Sequence, residues 1–288
     1  MDAALQPNEQ YLPRADKTDQ QAIRRGQMLR CVGPQCEADI DDLPVEEPLQ
    51  IRIAGEDVAV TMRTPGHDSE LAAGFLFSEG IIGAKSHIES IQPCMGDDGL
   101  LAPNIINVFP TDRELVDPRR WRRDFFAASS CGLCGKTSIS SVTRCLAPIT
   151  SAISTNHSTM YSLADKLRMA QEGFARSGGL HAAGLFDLDG NLLLLREDIG
   201  RHNAVDKIVG HALLNDLLPL DKHILLVSSR ASFEIVQKAL AAGVAILAAI
   251  SAPSSLAVEL AAEAGMTLVA FLREGRMNVY AGSERIEG

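Results

Sequence analysis

Ile224-Leu225-Leu226-Val227-Ser228, Val244-Ala245-Ile246-Leu247-Ala248-Ala249-Ile250 and Thr267-Leu268-Val269-Ala270-Phe271-Leu272 are three short apolar runs of β type. Helical stretches near residues 232–242 and 254–264 separate them. Strand, helix, strand, helix, strand with short links predicts parallel strands joined by right-handed crossovers. In such a sheet, ligands sit outside the carboxyl ends of the strands. The residues expected there are Ser228-Ser229-Arg230, Ser251-Ala252-Pro253-Ser254-Ser255 and Arg273-Glu274-Gly275-Arg276. Hydroxyls, a glycine, helix N-termini and three arginines on one rim suit an anion, most simply a phosphate or pyrophosphate. Helix capping accounts for some of the serines, but not for Arg230, Arg273 and Arg276 on one edge.

Upstream, residues 182–188 and 192–196 flank Asp189-Gly190 and predict a hairpin. Ser162-Leu163-Ala164-Asp165 resembles a capping box opening a helix. Leu163, Leu167, Ala170 and Phe174 would be its buried stripe, and Gly178-Gly179 would end it. After the hairpin, Glu197-Asp198-Ile199-Gly200-Arg201-His202-Asn203-Ala204-Val205-Asp206-Lys207 leads into an amphipathic helix running to about Asn215. His202 and Asp206 share one face and Asn203 and Lys207 another. An exposed polar face explains them as well as a functional cluster does.

The first half reads as a smaller α+β region. Residues 49–53 and 58–63 form a hairpin around Gly55-Glu56-Asp57, residues 69–79 a helix with Leu71, Phe75 and Leu76 on one face, and residues 105–109 a strand. Residues 1–40 are polar, lack apolar periodicity and hold Pro7, Pro13 and Pro34, so a poorly ordered leader is expected, with Cys31 and Cys36 as incidental thiols. The expected units are therefore residues 1–40, 41–150 and 151–288.

The second unit ends in Ser130-Cys131-Gly132-Leu133-Cys134-Gly135-Lys136-Thr137. Glycine after each cysteine lets the loop turn tightly and present both sulfurs. Nearby Lys136 favours the thiolate, the form that attacks sulfur or binds metal. Redox or sulfur-carrying chemistry is the favoured reading. A zinc half-site needs a second ligand pair, and a buried structural pair fits poorly with flanking glycines and a charge. A phosphate-binding P-loop would need glycine where Ser130 stands. Arg119-Arg120-Trp121-Arg122-Arg123 lies just upstream and reads either as a solvated helix face or as an anion site.

The 288 residues are 46% hydrophobic and 22% charged, with mean hydropathy +0.04, as for a globular protein. A net charge of -10 and a pI near 5.2 argue against a general nucleic-acid binder. Six cysteines do not make a disulfide scaffold. The first residues resemble no signal peptide, and the most apolar run, residues 239–250, is too short for a membrane span. A cytoplasmic protein with reduced thiols, no membrane association and no resident metal is expected.

Ordered along the chain, several segments together resemble the FdhD/NarQ family of formate dehydrogenase accessory sulfur carriers. They are Ala73-Gly74-Phe75 with Ser78-Glu79-Gly80-Ile81-Ile82, Cys131-Gly-Leu-Cys134-Gly, His181-Ala182-Ala183 and Glu197-Asp198-Ile199-Gly200-Arg201-His202. Asp206-Lys207, Ser228-Ser229-Arg230-Ala231-Ser232 and Phe271-Leu272-Arg273-Glu274-Gly275-Arg276 complete the set. The resemblance implies a sulfurtransferase that takes sulfane sulfur from a cysteine desulfurase. It would pass that sulfur to bis-molybdopterin guanine dinucleotide destined for formate dehydrogenase. Cys131 matches the family's persulfide cysteine and Cys134 its companion. Phe271, Leu272, Arg273, Glu274, Gly275 and Arg276 match its cofactor-binding stretch, for which GDP would be a mimic. The resemblance also implies an α/β fold with a three-layer cytidine-deaminase-like domain, and it is compatible with a homodimer. The competing classes are a zinc deaminase and a non-catalytic cofactor-binding scaffold. For the first, His87-Ile88-Glu89 matches H-x-E, but Ser130 replaces the proline of P-C-x-x-C.

Overall fold

The computed structural model describes residues 22–95, 101–115 and 147–288. Cys131, Cys134, Cys145 and the 119–123 arginine cluster lie outside the described residues.

The first described elements are β1 (Ile23–Val32) and β2 (Gln35–Pro44), an antiparallel hairpin around Gly33-Pro34. Gly33 takes the left-handed conformation that the tight reversal needs, with φ 59. This corrects the expected leader, because from Ile23 onward the segment is paired strand to strand. Its base is held by Arg176 to Asp42 at 2.9 Å and by the Val45 N–H donating to the Ala22 carbonyl at 2.8 Å. Cys31 and Cys36 are directly opposed and joined as a disulfide, not incidental free thiols. The sequence hid this element because most of its residues are exposed, so no clean alternation of polar and apolar residues marks it.

Next come β3 (Glu47–Ile53), β4 (Glu56–Arg63), α1 (Asp68–Ser78), β5 (Ile88–Met95) and β6 (Leu101–Pro110). The strands form a four-stranded sheet in the order β4-β3-β6-β5, which contains the expected hairpin as β3 and β4 and the expected strand within β6, and adds β5, which the sequence did not predict. Leu49, Ile51 and Ile53 alternate inward from β3 and pack on Leu71 and Leu76 of α1.

The remaining elements are β7 (Thr155–Asn156), α2 (His157–Ala170), α3 (Glu172–Ser177), β8 (His181–Phe186), β9 (Leu192–Asp198), α4 (Arg201–Leu214), β10 (Ile224–Val227), α5 (Phe233–Ala241), β11 (Ile246–Ala249), α6 (Ser255–Glu263), β12 (Thr267–Arg273), β13 (Arg276–Ala281) and β14 (Ile286–Glu287). The central sheet runs β13-β12-β11-β10-β8-β9, with β10, β11 and β12 parallel as predicted. Successive residues of its strands face opposite ways. Leu225, Val227, Leu247, Ala249, Leu268 and Ala270 meet α4, α5 and α6. Leu226, Ala248 and Val269 face the other side, where Met160, Leu163 and Leu167 of α2 cover them. Burial on both faces explains why these strands read as unbroken apolar runs.

Two local expectations are corrected. The helix expected from Ser162 starts five residues earlier, where the Asn156 side chain accepts the Thr159 N–H at 2.8 Å. It also breaks at Gln171, and the short α3 that follows has its Gly173 and Phe174 N–H groups donating to Glu197, each at 2.8 Å.

Helices α1 and α4 join the two halves at a contact made by two glycines. A Cβ on Gly74 would sit 1.8 Å from the Asp206 carbonyl oxygen, and one on Gly210 would sit 1.8 Å from that of Glu70. Both obstacles are backbone, so neither can rotate away. Gly74→Ala is expected to lose at least about 3 kcal/mol of stability, at or beyond the usual overpacking cost. A urea midpoint unchanged from wild type would contradict that packing.

Candidate functional site

The carboxyl ends of β10, β11 and β12 share one edge of the central sheet. Antiparallel pairing brings the start of β8 and the end of β9 to the same edge, with His181 opposite Asp198. Helices α4, α5 and α6 all begin there, so three sets of helix-end N–H groups meet at one rim. Parts of the rim are tied internally. The Ala182 N–H donates to Ser228 Oγ at 2.9 Å, and Ser254 caps α6 by accepting the Ala257 N–H at 3.3 Å. Arg230, Arg273, Glu274, Gly275 and Arg276 are exposed along it.

Gly275, with φ 68, forms the turn that pairs Arg273 with Arg276 across β12 and β13. Phe271 is a bulky residue held at φ 52, inside a break in the β12–β13 register. Left-handed geometry at such a residue stores strain, a feature that clusters at ligand sites. Leu272 differs from its neighbours. It is fully buried against the α2 side of the sheet, so within this stretch it packs the core.

Beneath the rim lies a buried polar network where an exposed helix face was one expectation. His202, Asn203, Asp206 and Lys207 are all buried. The reason is that α1 and the loop after β4 cover α4. Lys207 Nζ stands 2.7 Å from Asp198 Oδ2 and donates to the Thr64 carbonyl at 3.0 Å. Asn203 Nδ2 donates to the Met62 carbonyl at 2.7 Å and to Asp198 Oδ1 at 3.0 Å. Asp206 accepts from Lys238 Nζ with both oxygens at 2.8 Å and from Ser78 Oγ at 3.0 Å. Burial disfavours the Lys238 ammonium, but the carboxylates of Asp206 and Glu79 override it and hold its pKa above the ordinary value. Nearer the edge, His202 Nε2 lies 2.9 Å from Glu234 Oε2. Arg201 Nε and Glu234 Oε1 find no hydrogen-bond partner among the described residues. His181 is held below the usual histidine value by burial and by Arg201 and His202, which favours its neutral form.

A third group joins the halves. Glu70 of α1 accepts from Arg196 Nε at 2.6 Å, Arg196 Nη2 at 2.8 Å and His211 Nδ1 at 2.9 Å. Burial pushes the Glu70 carboxyl up, but the Arg196 and His211 hydrogen bonds outweigh it and bring its pKa down to about 2. The folded value lies below the ordinary glutamate value of 4.5. Its stabilisation is therefore fully present above about pH 4.5 and is lost as the pH falls toward about 2. Glu70→Gln should cost on the order of 3 kcal/mol at pH 7 and flatten the acid limb of stability. Urea titrations at pH 3, 5 and 7 check this, and an unchanged acid limb would contradict it.

A cavity of about 580 Å³ opens at the opposite edge, among Phe77, Lys85, Ile149, Leu218 and Gly243. Ala147, where description resumes after the cysteine-bearing segment, lines it. His87 Nδ1 of the H-x-E triplet accepts the Gly83 N–H at 3.3 Å, and Glu89 is exposed. Among the described residues no group of three His, Cys, Asp or Glu could hold a metal ion, and no helix is long and apolar enough to cross a membrane.

Residues 44–287 match the model of the FdhD/NarQ family. The chain belongs to that family. It is similar to proteins named sulfur carrier protein FdhD in several organisms. That of Streptomyces avermitilis is 51% identical, the match covering 85% of this chain and 89% of the relative. That of Mycolicibacterium paratuberculosis is 48% identical over 92% of this chain and 99% of the relative. A solved structure described as a formate dehydrogenase accessory protein from Desulfotalea psychrophila shares the fold, with a TM-score of 0.73 at 22% identity, covering 92% of this chain and all of that one. Within the matched FdhD/NarQ span lie Cys131, Cys134 and the whole Phe271–Arg276 stretch, whereas β1 and nearly all of β2 precede it. The sequence reading did not single out Glu234 or Lys238. Each sits in an amphipathic helix, where a lone charge reads as a helix-end or surface group.

Proposed function

We propose that this chain is a sulfur carrier serving formate dehydrogenase, a sulfurtransferase working through a persulfide on Cys131. The observation that supports it most strongly is the 51% identity to a protein named sulfur carrier protein FdhD across 85% of the chain. In this reading the Cys131 thiolate attacks the sulfane sulfur of a desulfurase persulfide. A new S–S bond gives Cys131–S–SH, and the donor leaves as its thiolate. Cys134 is the companion thiol. The acceptor substrate is bis-molybdopterin guanine dinucleotide, bound through its phosphates along the rim of Phe271, Arg273, Glu274, Gly275 and Arg276, with Leu272 supporting the stretch from the core.

The exposed arginines, the glycine turn and the three helix starts support an anion site of this kind. Helices on both faces of the central sheet are compatible with a cytidine-deaminase-like layering. A cytoplasmic location and a homodimer complete the proposal.

Arg276 can offer paired donors to phosphate oxygens, a geometry lysine cannot reproduce. Arg276→Ala should therefore bind GDP roughly ten- to a hundredfold more weakly, the cost of one charge-assisted contact, while still loading sulfur on Cys131. Calorimetric titration with GDP reads the first half and intact-mass spectrometry the second. Unchanged GDP affinity would move the acceptor site away from this turn.

A further inference from the structure

The Cys31–Cys36 pair has no part in the chemistry above, and it lies upstream of the span that the family model matches. We propose that it is a second sulfur-handling site, a dithiol–disulfide couple that takes sulfane sulfur from a persulfide and releases it as sulfide. The proposal rests on the sulfur-carrier reading for the chemistry of its donor.

Hairpin register carries the argument. Cys31 is directly opposite Cys36, their Cα atoms 4.1 Å apart, one pair in from the Val32–Gln35 pair that flanks the turn. Residues 29–38 are all exposed, so both sulfurs can be reached by a reactant. Among the described residues, no side chain of β1 or β2 belongs to the three buried hydrophobic clusters. The crosslink closes a loop of four intervening residues, Val32 to Gln35, inside two strands that already pair along their length. A short loop in a preformed hairpin gains little from closure, so the bond holds no core together. In a chain that is not a disulfide scaffold, an exposed bond with so little structural duty is suited to exchange rather than to stapling.

The balanced steps are two. With both cysteines reduced, the Cys31 thiolate attacks the outer sulfur of a persulfide R–S–SH. The R–S bond to that sulfur breaks, R leaves as thiolate, and Cys31–S–SH forms. The Cys36 thiolate then attacks the inner sulfur, Cys31 Sγ, closing the Cys31–Cys36 disulfide and expelling HS⁻. The two cysteines lose two electrons, and the sulfane sulfur gains them. A dithiol reductant restores the pair and is itself oxidised to a disulfide.

The test uses the full chain with Cys94, Cys131, Cys134 and Cys145 changed to serine, reduced, desalted and mixed with one equivalent of glutathione persulfide. The chain is expected to become about 2 Da lighter as the disulfide closes, releasing one sulfide per chain. Adding Cys36→Ser should instead leave Cys31 about 32 Da heavier and slow sulfide release at least tenfold. A chain that stays dithiol, or sulfide release no faster than with Cys31→Ser and Cys36→Ser combined, would overturn the proposal. Sulfur loading of Cys131 in the unaltered chain, read by peptide mapping, tests the carrier reading separately, so failure of either is visible on its own.

Discussion

Lys207→Met should cost about 3–5 kcal/mol, roughly a 10²- to 10⁴-fold shift of the folding equilibrium toward the unfolded chain. Its side chain is 1% exposed, and the facing Asp198 side chain is wholly buried. Asp198 also accepts from the Thr64 N–H at 3.2 Å, the Gly200 N–H at 2.8 Å and Asn203 Nδ2 at 3.0 Å. Methionine matches lysine in length but leaves the carboxylate as an uncompensated buried charge. Combining it with Asp198→Asn removes that charge and keeps an acceptor, so the double variant should recover part of the loss. The network links the loop after β4 to β9 and α4, so the same change should loosen the join between the halves and the edge above it. Urea unfolding of both variants decides the matter. A double variant no more stable than Lys207→Met would show that charge burial is not the dominant cost.

The three parallel strands were legible because burial on both faces leaves unbroken β-type runs, and short helical links then allow few topologies. The arginine-bearing edge followed from that topology. Burial of α4 did not follow, because His202, Asn203, Asp206 and Lys207 look the same whether water or a second layer faces them. That layer is α1, brought in from far along the sequence by glycine-to-glycine contact at Gly74 and Gly210. Leu272 had the same ambiguity in reverse. The family stretch includes it, but its alternation with exposed Arg273 puts it in the core. The true cap Asn156 was missed because Ser162, now in mid-helix with its Oγ donating to the Thr159 carbonyl, stands in a more persuasive local pattern. Of the candidate site, the rim was readable in outline. Arg201 Nε and Glu234 Oε1, which have no hydrogen-bond partner among the described residues, needed three-dimensional packing to appear.

Cys131→Ala is expected to abolish sulfur loading at that position, the largest functional effect the account predicts. Transfer requires a thiolate at the receiving residue, and alanine offers no sulfur to form the new S–S bond. Cys134→Ala should still load Cys131, since its proposed role is that of a companion. Incubating each protein with a cysteine desulfurase and cysteine, then mapping peptides by mass spectrometry, is the most direct measurement. The account predicts a gain of about 32 Da per sulfane sulfur on the Cys131 peptide of wild type and of Cys134→Ala, removable by a reducing thiol. It predicts none on the corresponding peptide of Cys131→Ala. Wild-type protein without that gain, or a gain of the same size on the Cys131→Ala peptide, would contradict it.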